Sequence, residues 1–377
     1  MDDARYYWLA LSTIRGLGGK RMKNLLQYYG DPVSIWQANR KELEEVLSSP
    51  VLAGKITAKR GNVNLDCLIR NLEKNKISFL CLYEENYPEN LKNISDPPPV
   101  IYYKGEPDFS FPAVAIVGAR GCSEYGKKVA GKIAYELSER GITVISGLAR
   151  GIDTYAHIAA LKGKGKTIAV SGCGLDIIYP PENKKLYQEI QERGTLLSEY
   201  PPGVEPLPGH FPQRNRIISG LSQGVLVVEA AARSGSLITA AIALEQGRKL
   251  FAIPGNIDRP QSKGANRLIK EGAKVVTGVE DIIEELFLDR YSSNSIKNVE
   301  GVSRTINYPI LGEEEEEIIR LFERETELTV DELVRLTNKS PGTVNTILLK
   351  LELKGIVSRG PGKKYSFMGL QSLLKPI

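Results

Sequence analysis

Histidine and cysteine are scarce in this 377-residue chain: two His (His157, His210) and four Cys (Cys67, Cys81, Cys122, Cys173), with no Cys-x-x-Cys pair. Metal sites need clustered ligands, so neither a metal centre nor a redox dithiol is expected, and the thiols read as reduced. No apolar run approaches the ~18 residues of a membrane span. The start, Met1-Asp2-Asp3-Ala4-Arg5, lacks the basic flank and apolar stretch of a signal peptide. A soluble, non-exported, cytoplasmic protein with no membrane partner is expected. Aromatics make up only 7%, but 42% of the chain is apolar, enough for two or three domains at ~150 residues each.

Charge is more informative by segment than in its total of +5. Residues 1–65 carry a net +4, 66–110 a net −3 and 111–288 a net +4. A mildly basic balance suits an anionic partner without demanding one. The placement of individual arginines has to decide.

Residues 1–65 read as short helices. Gly16-Leu17-Gly18 between two of them resembles a helix-hairpin-helix (SAM-like) turn with Lys20, Arg21 and Lys23 beside it. Such a turn either offers amides to a DNA phosphate or serves as a packing device. Residues 66–110 form an annex with strands around Ser78–Leu82 and Val100–Tyr103. From Ala113 short apolar strands alternate with amphipathic helices, which implies a doubly wound, mostly parallel α/β sheet over 66–288. Residues 289–310 look like a linker. Over 311–377, three helices precede a basic hairpin around Gly360-Pro361-Gly362, a winged-helix pattern. Val344, Ile347, Leu348 and Leu351 are its core by spacing. Duplex DNA and protein remain equal candidates for its partner.

Parallel sheets bind ligands beyond the carboxyl ends of their strands. The unusual residues cluster there: Gly118-Ala119-Arg120; Ser146 and Gly147 with Arg150; Gly172 and Gly174; and Arg233-Ser234-Gly235-Ser236 at a helix start. Glycines let backbone amides approach an anion, and helix N-termini add positive potential. In Phe211-Pro212-Gln213-Arg214-Asn215-Arg216 two arginines are expected to open a helix, where acids are normally preferred. A bound polyanion explains them; ion pairs to Glu199 or Glu229 are the alternative. Asp153 is expected to hold the amides of its own turn, Glu199 and Glu229 to stabilise their strand-end turns, and His157 to be a packed helix residue.

Nucleotide-binding fingerprints are missing. Gly165-Lys166-Thr167 has Ala160 where a phosphate loop needs glycine, and Gly172-x-Gly174 is followed by Ile177 where the third dinucleotide glycine belongs. No cofactor and no catalytic residue is expected.

Strings of sequence carry a more specific resemblance. GAR at 118–120, SGLARGID at 146–153, FPQRNRIISGLS at 211–222, SGSLITA at 234–240, IPG at 253–255 and GANRLI at 264–269 resemble the DprA (Smf) family of bacterial DNA-processing proteins. The family's usual Gly-Ser-Arg reads Gly118-Ala119-Arg120, which loses a hydroxyl and keeps the arginine. The resemblance implies an extended Rossmann domain that binds single-stranded DNA, forms a homodimer and loads the RecA recombinase in natural transformation, on strands coated by single-strand-binding protein. It places the dimer contact near Leu268, Ile269, Val275 and Val276. Arg120, Arg214, Arg216 and Arg233 would take phosphates, Gly147, Gly174 and Gly235 would give amides, and Phe211 would stack on a base. The rival class is a nucleotide phosphoribohydrolase of the Lonely-guy type with Glu229 as its acid, but the Pro-Gly-Gly-x-Gly-Thr-x-x-Glu order of that group is absent.

Overall fold

The computed structural model describes residues 3–14, 16–61, 65–292, 313–322, 327–337, 339–353, 357–360 and 364–367. The chain divides into two compact units, 1–295 and 296–377.

Six helices open the first unit: α1 (Asp3–Ser12), α2 (Gly19–Tyr29), α3 (Pro32–Gln37), α4 (Arg40–Leu47), α5 (Pro50–Arg60) and α6 (Leu65–Lys74). Their ends follow capping chemistry. The Asp31 side chain accepts from the amides of Val33 and Ser34 with Pro32 at the first position of α3, and Asn39 caps α4 through the Glu42 amide. Strand β1 (Ser78–Cys81), helix α7 (Glu89–Lys92) and strand β2 (Val100–Gly105) form the annex.

Alternation follows: β3 (Ala113–Val117), α8 (Glu124–Glu139), β4 (Thr143–Ser146), α9 (Ile152–Ala160), β5 (Thr167–Ser171), α10 (Lys184–Arg193), β6 (Thr195–Ser198), α11 (His210–Leu221), β7 (Gly224–Val227), α12 (Gly235–Glu245), β8 (Lys249–Ala252), α13 (Lys263–Lys270), β9 (Lys274–Val275) and α14 (Val279–Ser292). The sheet has nine strands in the order β1-β2-β6-β5-β4-β3-β7-β8-β9. It is parallel from β6 to β9, and β1 and β2 add an antiparallel edge. Succession runs outward from β3 through β6 and then returns, so that β7 pairs with β3. The order reverses between β3 and β7, and such a switch point opens a crevice.

Both sheet faces are covered. Along β3, Ala113, Ala115 and Val117 enter one core and Val114 and Ile116 the other, the period of two that a strand imposes. The first core takes residues from α10, α11, α12 and the N-terminal helices; the second takes Ile133 and Leu137 of α8, Ile152 and Ala156 of α9 and Ile282 of α14.

The expected boundary at residue 65 falls at the start of α6, and the core is continuous across it. Trp8 is buried and stacks on Tyr83 at 5.6 Å, and the Ser12 and Tyr102 hydroxyls lie 3.1 Å apart. The Gly16-Leu17-Gly18 turn also faces protein. The Lys20 amide donates to Asp96 Oδ1 at 2.9 Å, and a Cβ on Gly19 would lie 1.7 Å from the Pro97 carbonyl oxygen. A packing device is the reading this geometry favours. Helix α14 continues to Ser292, past the expected linker start at 289; residues 293–310 lie outside the described residues.

The second unit holds α15 (Glu313–Phe322), β10 (Glu327–Thr329), α16 (Val330–Thr337), α17 (Pro341–Leu353), β11 (Val357–Arg359) and β12 (Lys364–Phe367), with strand order β10-β12-β11. Val344, Ile347, Leu348 and Leu351 are buried against Ile318, Phe322 and Leu333. Ser340 caps α17 through the Thr343 amide. Pro361, Gly362 and Lys363 of the expected hairpin turn lie outside the described residues.

Candidate nucleic-acid interface

The crevice at the switch point is a cleft of about 500 Å³, lined among others by Gly118, Arg120, Phe211, Asn215, Arg233 and Gly235. Its walls are three strand-end turns and its floor is α11.

The turn after β3 is fixed by its backbone. The Ala119 amide donates to the Glu229 carbonyl at 2.7 Å, and a Cβ on Gly118 would meet Ile152 at 2.5 Å. Arg120 is thereby left projecting and exposed. The Glu229 carboxylate accepts from the Ser123 amide at 2.8 Å and from its hydroxyl at 2.5 Å. A Cβ on Gly126 would collide with that carboxylate, so Glu229 ties the start of α8 to the end of β7. Engaged in this way and buried, it serves as a turn stabiliser.

The turn after β4 is a buried clamp. Asp153 accepts from the amides of Gly147 (3.1 Å) and Ala149 (3.4 Å), and Ser146 Oγ donates to the Ile116 carbonyl. Arg214 donates to the carbonyls of Gly147, at 2.8 Å, and of Val170. The Gly147 residue is thus gripped at its amide by an acid and at its carbonyl by a guanidinium. Burial pushes the Asp153 carboxyl up to about 6, with Arg214 opposing, and pulls Arg214 down to about 10. His157 is fully buried, its Nδ1 2.7 Å from Thr167 Oγ1, and burial lowers it to about 3. It is a neutral packed residue, as expected.

Helix α11 begins at His210, four residues ahead of the expected start. Arg214 and Arg216 therefore sit in its second turn, and the argument from the first-turn dipole does not apply to them. Arg214 is only 4% exposed and is spent on strand-end carbonyls. Arg216 makes a bidentate pair with Glu199, both contacts at 2.7 Å, and its Nε donates to the Asp96 carbonyl at 3.0 Å. Burial alone would lower Arg216; Glu199 outweighs it and holds the guanidinium above its ordinary value. The ion-pair alternative is the arrangement seen for Arg216. Two amides named for phosphate are also engaged: Gly147 with Asp153, and Gly174 with the Val204 carbonyl at 2.9 Å.

Phe211 divides the cleft from a smaller pocket lined by Arg150, Gly172 and Tyr179. Gly172 is required there, since a Cβ would lie 2.9 Å from the Phe211 ring. The Arg120 guanidinium lies 5.8 Å and Arg214's 5.9 Å from that ring's centre, and Tyr179 packs against it at 5.3 Å. Tyr179 was not foreseen: it lies in the segment between β5 and α10, with nothing in its local spacing to mark it. Arg150 is exposed but held by Glu182 at 2.7 Å. Asn215 accepts from Arg214 Nε at 3.2 Å. Across the cleft Ser234 caps α12, its Oγ 2.8 Å from that of Ser236, with Arg233 and Gly235 exposed at the helix start. Arg120, Arg233 and the first turn of α12 thus face the opening.

Of the residues expected at a dimer contact, Leu268 (6% exposed) and Val276 (0%) are buried in the chain's own cores and cannot meet a partner. Val275, on edge strand β9, is exposed, and Ile269 is half-buried. Among the described residues no group of His, Cys, Asp and Glu could hold a metal ion, and no helix is long and apolar enough to cross a membrane.

Comparison with known proteins agrees with this architecture. A family model described as DNA recombination-mediator protein A matches residues 78–287, and a DprA winged helix domain model matches 307–363. Protein Smf of Synechocystis is 36% identical over 97% of this chain and 99% of its own. DNA processing protein DprA of Streptococcus pneumoniae is 50% identical over 56% of this chain and 76% of its own. The X-ray structure of the Streptococcus pneumoniae protein superposes with a TM-score of 0.68 at 40% identity, covering 74% of this chain and 97% of that one. A Helicobacter pylori DNA processing protein A, whose structure is described for its single-stranded DNA binding mode, gives 0.52 at 34% identity over 57% of this chain and 97% of that one. From the matched Rossmann-like sheet to the winged helix, this chain belongs to the DNA recombination-mediator protein A (DprA/Smf) family.

Proposed function

We propose that this chain binds single-stranded DNA in the switch-point cleft, shields it and passes it to a RecA-type recombinase during the uptake and recombination of DNA. The observation that carries the proposal is one cleft lined together by exposed Arg120 and Arg233, by Phe211 on α11 and by the α12 N-terminus. Guanidiniums take phosphates and an aromatic face takes any base, which makes a sequence-tolerant single-strand site. The single-strand binding described for the Helicobacter pylori relative supports it. The protein works here as a binding module without a nucleotide cofactor, and RecA, single-strand-binding protein and a second copy of the chain are its proposed partners.

Each phosphate contact on a single strand adds about −0.7 to the log–log salt slope. Arg120→Ala and Arg233→Ala should each flatten the slope for a dT oligomer by about that amount while the melting temperature holds, since both side chains are exposed. Unchanged slope and affinity in both variants would remove the cleft as the site. RecA delivery is tested by filament formation on strands coated with single-strand-binding protein: acceleration by the wild type and not by Arg120→Ala is expected.

A further inference from the structure

Helix α8 leaves the cleft directly after the Arg120 turn, and its outward face carries a pattern the cleft does not use. At about 100° per residue, Tyr125, Lys128, Lys132 and Tyr135 fall within an arc of about 80°. Tyr125 is 50% and Tyr135 43% exposed, both lysines are exposed, and the opposite face buries Ala130, Ile133, Ala134 and Leu137. Large exposed rings on a helix facing water lose apolar burial, so two of them interleaved with lysines suit a ligand that is both stackable and anionic. Tyr125 is fixed at the cleft end of the helix, its hydroxyl donating to the Pro254 carbonyl at 3.2 Å just beyond β8.

The flanking acids leave the stripe basic. Glu124 is taken by Lys127 at 2.6 Å, and Glu136 reaches Lys132 only at 3.9 Å. One turn further, Glu139 pairs with Lys164 at 3.5 Å and ends the run. From Tyr125 to Tyr135 the helix rises about 15 Å, the length of about four stacked nucleotides at 3.4 Å each.

We infer that the outward face of α8 is an extension of the single-strand site, on which DNA leaving the cleft past Arg120 stacks bases on Tyr125 and Tyr135 and sets phosphates on Lys128 and Lys132. Charge complementarity and continuity with the Arg120 turn select nucleic acid as the occupant. The inference rests on the cleft being a single-strand site, and oligomer length separates the two.

The test is fluorescence anisotropy of the full chain with labelled dT oligomers of about 6 and about 20 nucleotides, lengths that fill the cleft alone or overrun it. Tyr125→Ala/Tyr135→Ala should weaken the long oligomer roughly tenfold or more and leave the short one unchanged, whereas Tyr125→Phe/Tyr135→Phe keeps both. Lys128→Gln/Lys132→Gln should flatten the salt slope by about 1.4 for the long oligomer only. Photocrosslinking of a long oligomer carrying 5-iododeoxyuridine should label peptides containing Tyr125 or Tyr135. Equal losses at both lengths, or none at either length in a wild type that binds both, would overturn the α8 track and leave the cleft standing. A wild type that binds neither oligomer would overturn the cleft itself.

Discussion

Arg214→Ala separates a phosphate ligand from a structural clamp. In the structure the Arg214 guanidinium is buried, holds the carbonyls of Gly147 and Val170 and opposes the raised carboxyl of the buried Asp153. Removing it leaves the Asp153 charge without its countercharge, a loss of about 3–5 kcal/mol for buried pairs. With about 2–4 °C per kcal/mol for domains of this size, a fall in melting temperature of roughly 6–20 °C is expected. Asp153→Asn in the same chain removes the stranded charge, so the double variant should recover at least half of the fall, a coupling that a double-mutant cycle isolates. The assay is thermal unfolding by circular dichroism at neutral pH, paired with the dT salt slope at a temperature where every variant is folded. A melting temperature within about 2 °C of wild type, together with a slope flattened by about 0.7, would refute the clamp and return Arg214 to the phosphate contacts.

Three further outcomes follow from the same geometry. Asp153, raised to about 6 from 3.8, contributes stability that is lost as pH rises through 6, whereas His157, lowered to about 3 from 6.5, contributes stability lost as pH falls below 6.5. The two oppose each other, so Asp153→Asn should make acid destabilisation between about pH 6 and 4 steeper than wild type by about 2 kcal/mol, read from urea midpoints; a parallel profile counts against a raised Asp153. Gly19→Ala places a Cβ on the Pro97 carbonyl and should cost about 1–3 kcal/mol, with protease sensitivity appearing first in residues 1–61; resistance equal to wild type would mean the turn is not packed as described. Val275→Asp on the β9 edge should convert a dimer to a monomer in light scattering at about tens of micromolar, and a monomeric wild type would end the dimer proposal.

The stabilising role of Asp153 was legible because a carboxylate just after strand-end glycines has few other groups to serve, whereas Glu229 follows an all-valine-and-leucine strand end and meets its partner Ser123 only in the folded chain. The side on which each arginine works was not legible. Arg214 and Arg216 are two residues apart on a helix, so their side chains diverge by about 200°, and one entered the strand ends while the other met Glu199. Their partners, Val170, Gly147, Glu199 and Asp96, come from distant segments that no local spacing reveals.

Periodicity alone determined the alternation of strands and helices from Ala113 to β9, because burial on both sheet faces demands continuous apolar strands. The same logic located the winged-helix core in Val344, Ile347, Leu348 and Leu351. Only the tertiary structure decided the strand order, and with it the switch point between β3 and β7 that turns several glycine-rich turns into one cleft. It also buried Leu268 and Val276, closed the amides of Gly147 and Gly174, and left Arg120 and Arg233 facing solvent. The reason is physical: residue type and period fix which face of an element is apolar, whereas the engagement of a polar group depends on which distant group the packed sheet brings within hydrogen-bonding distance.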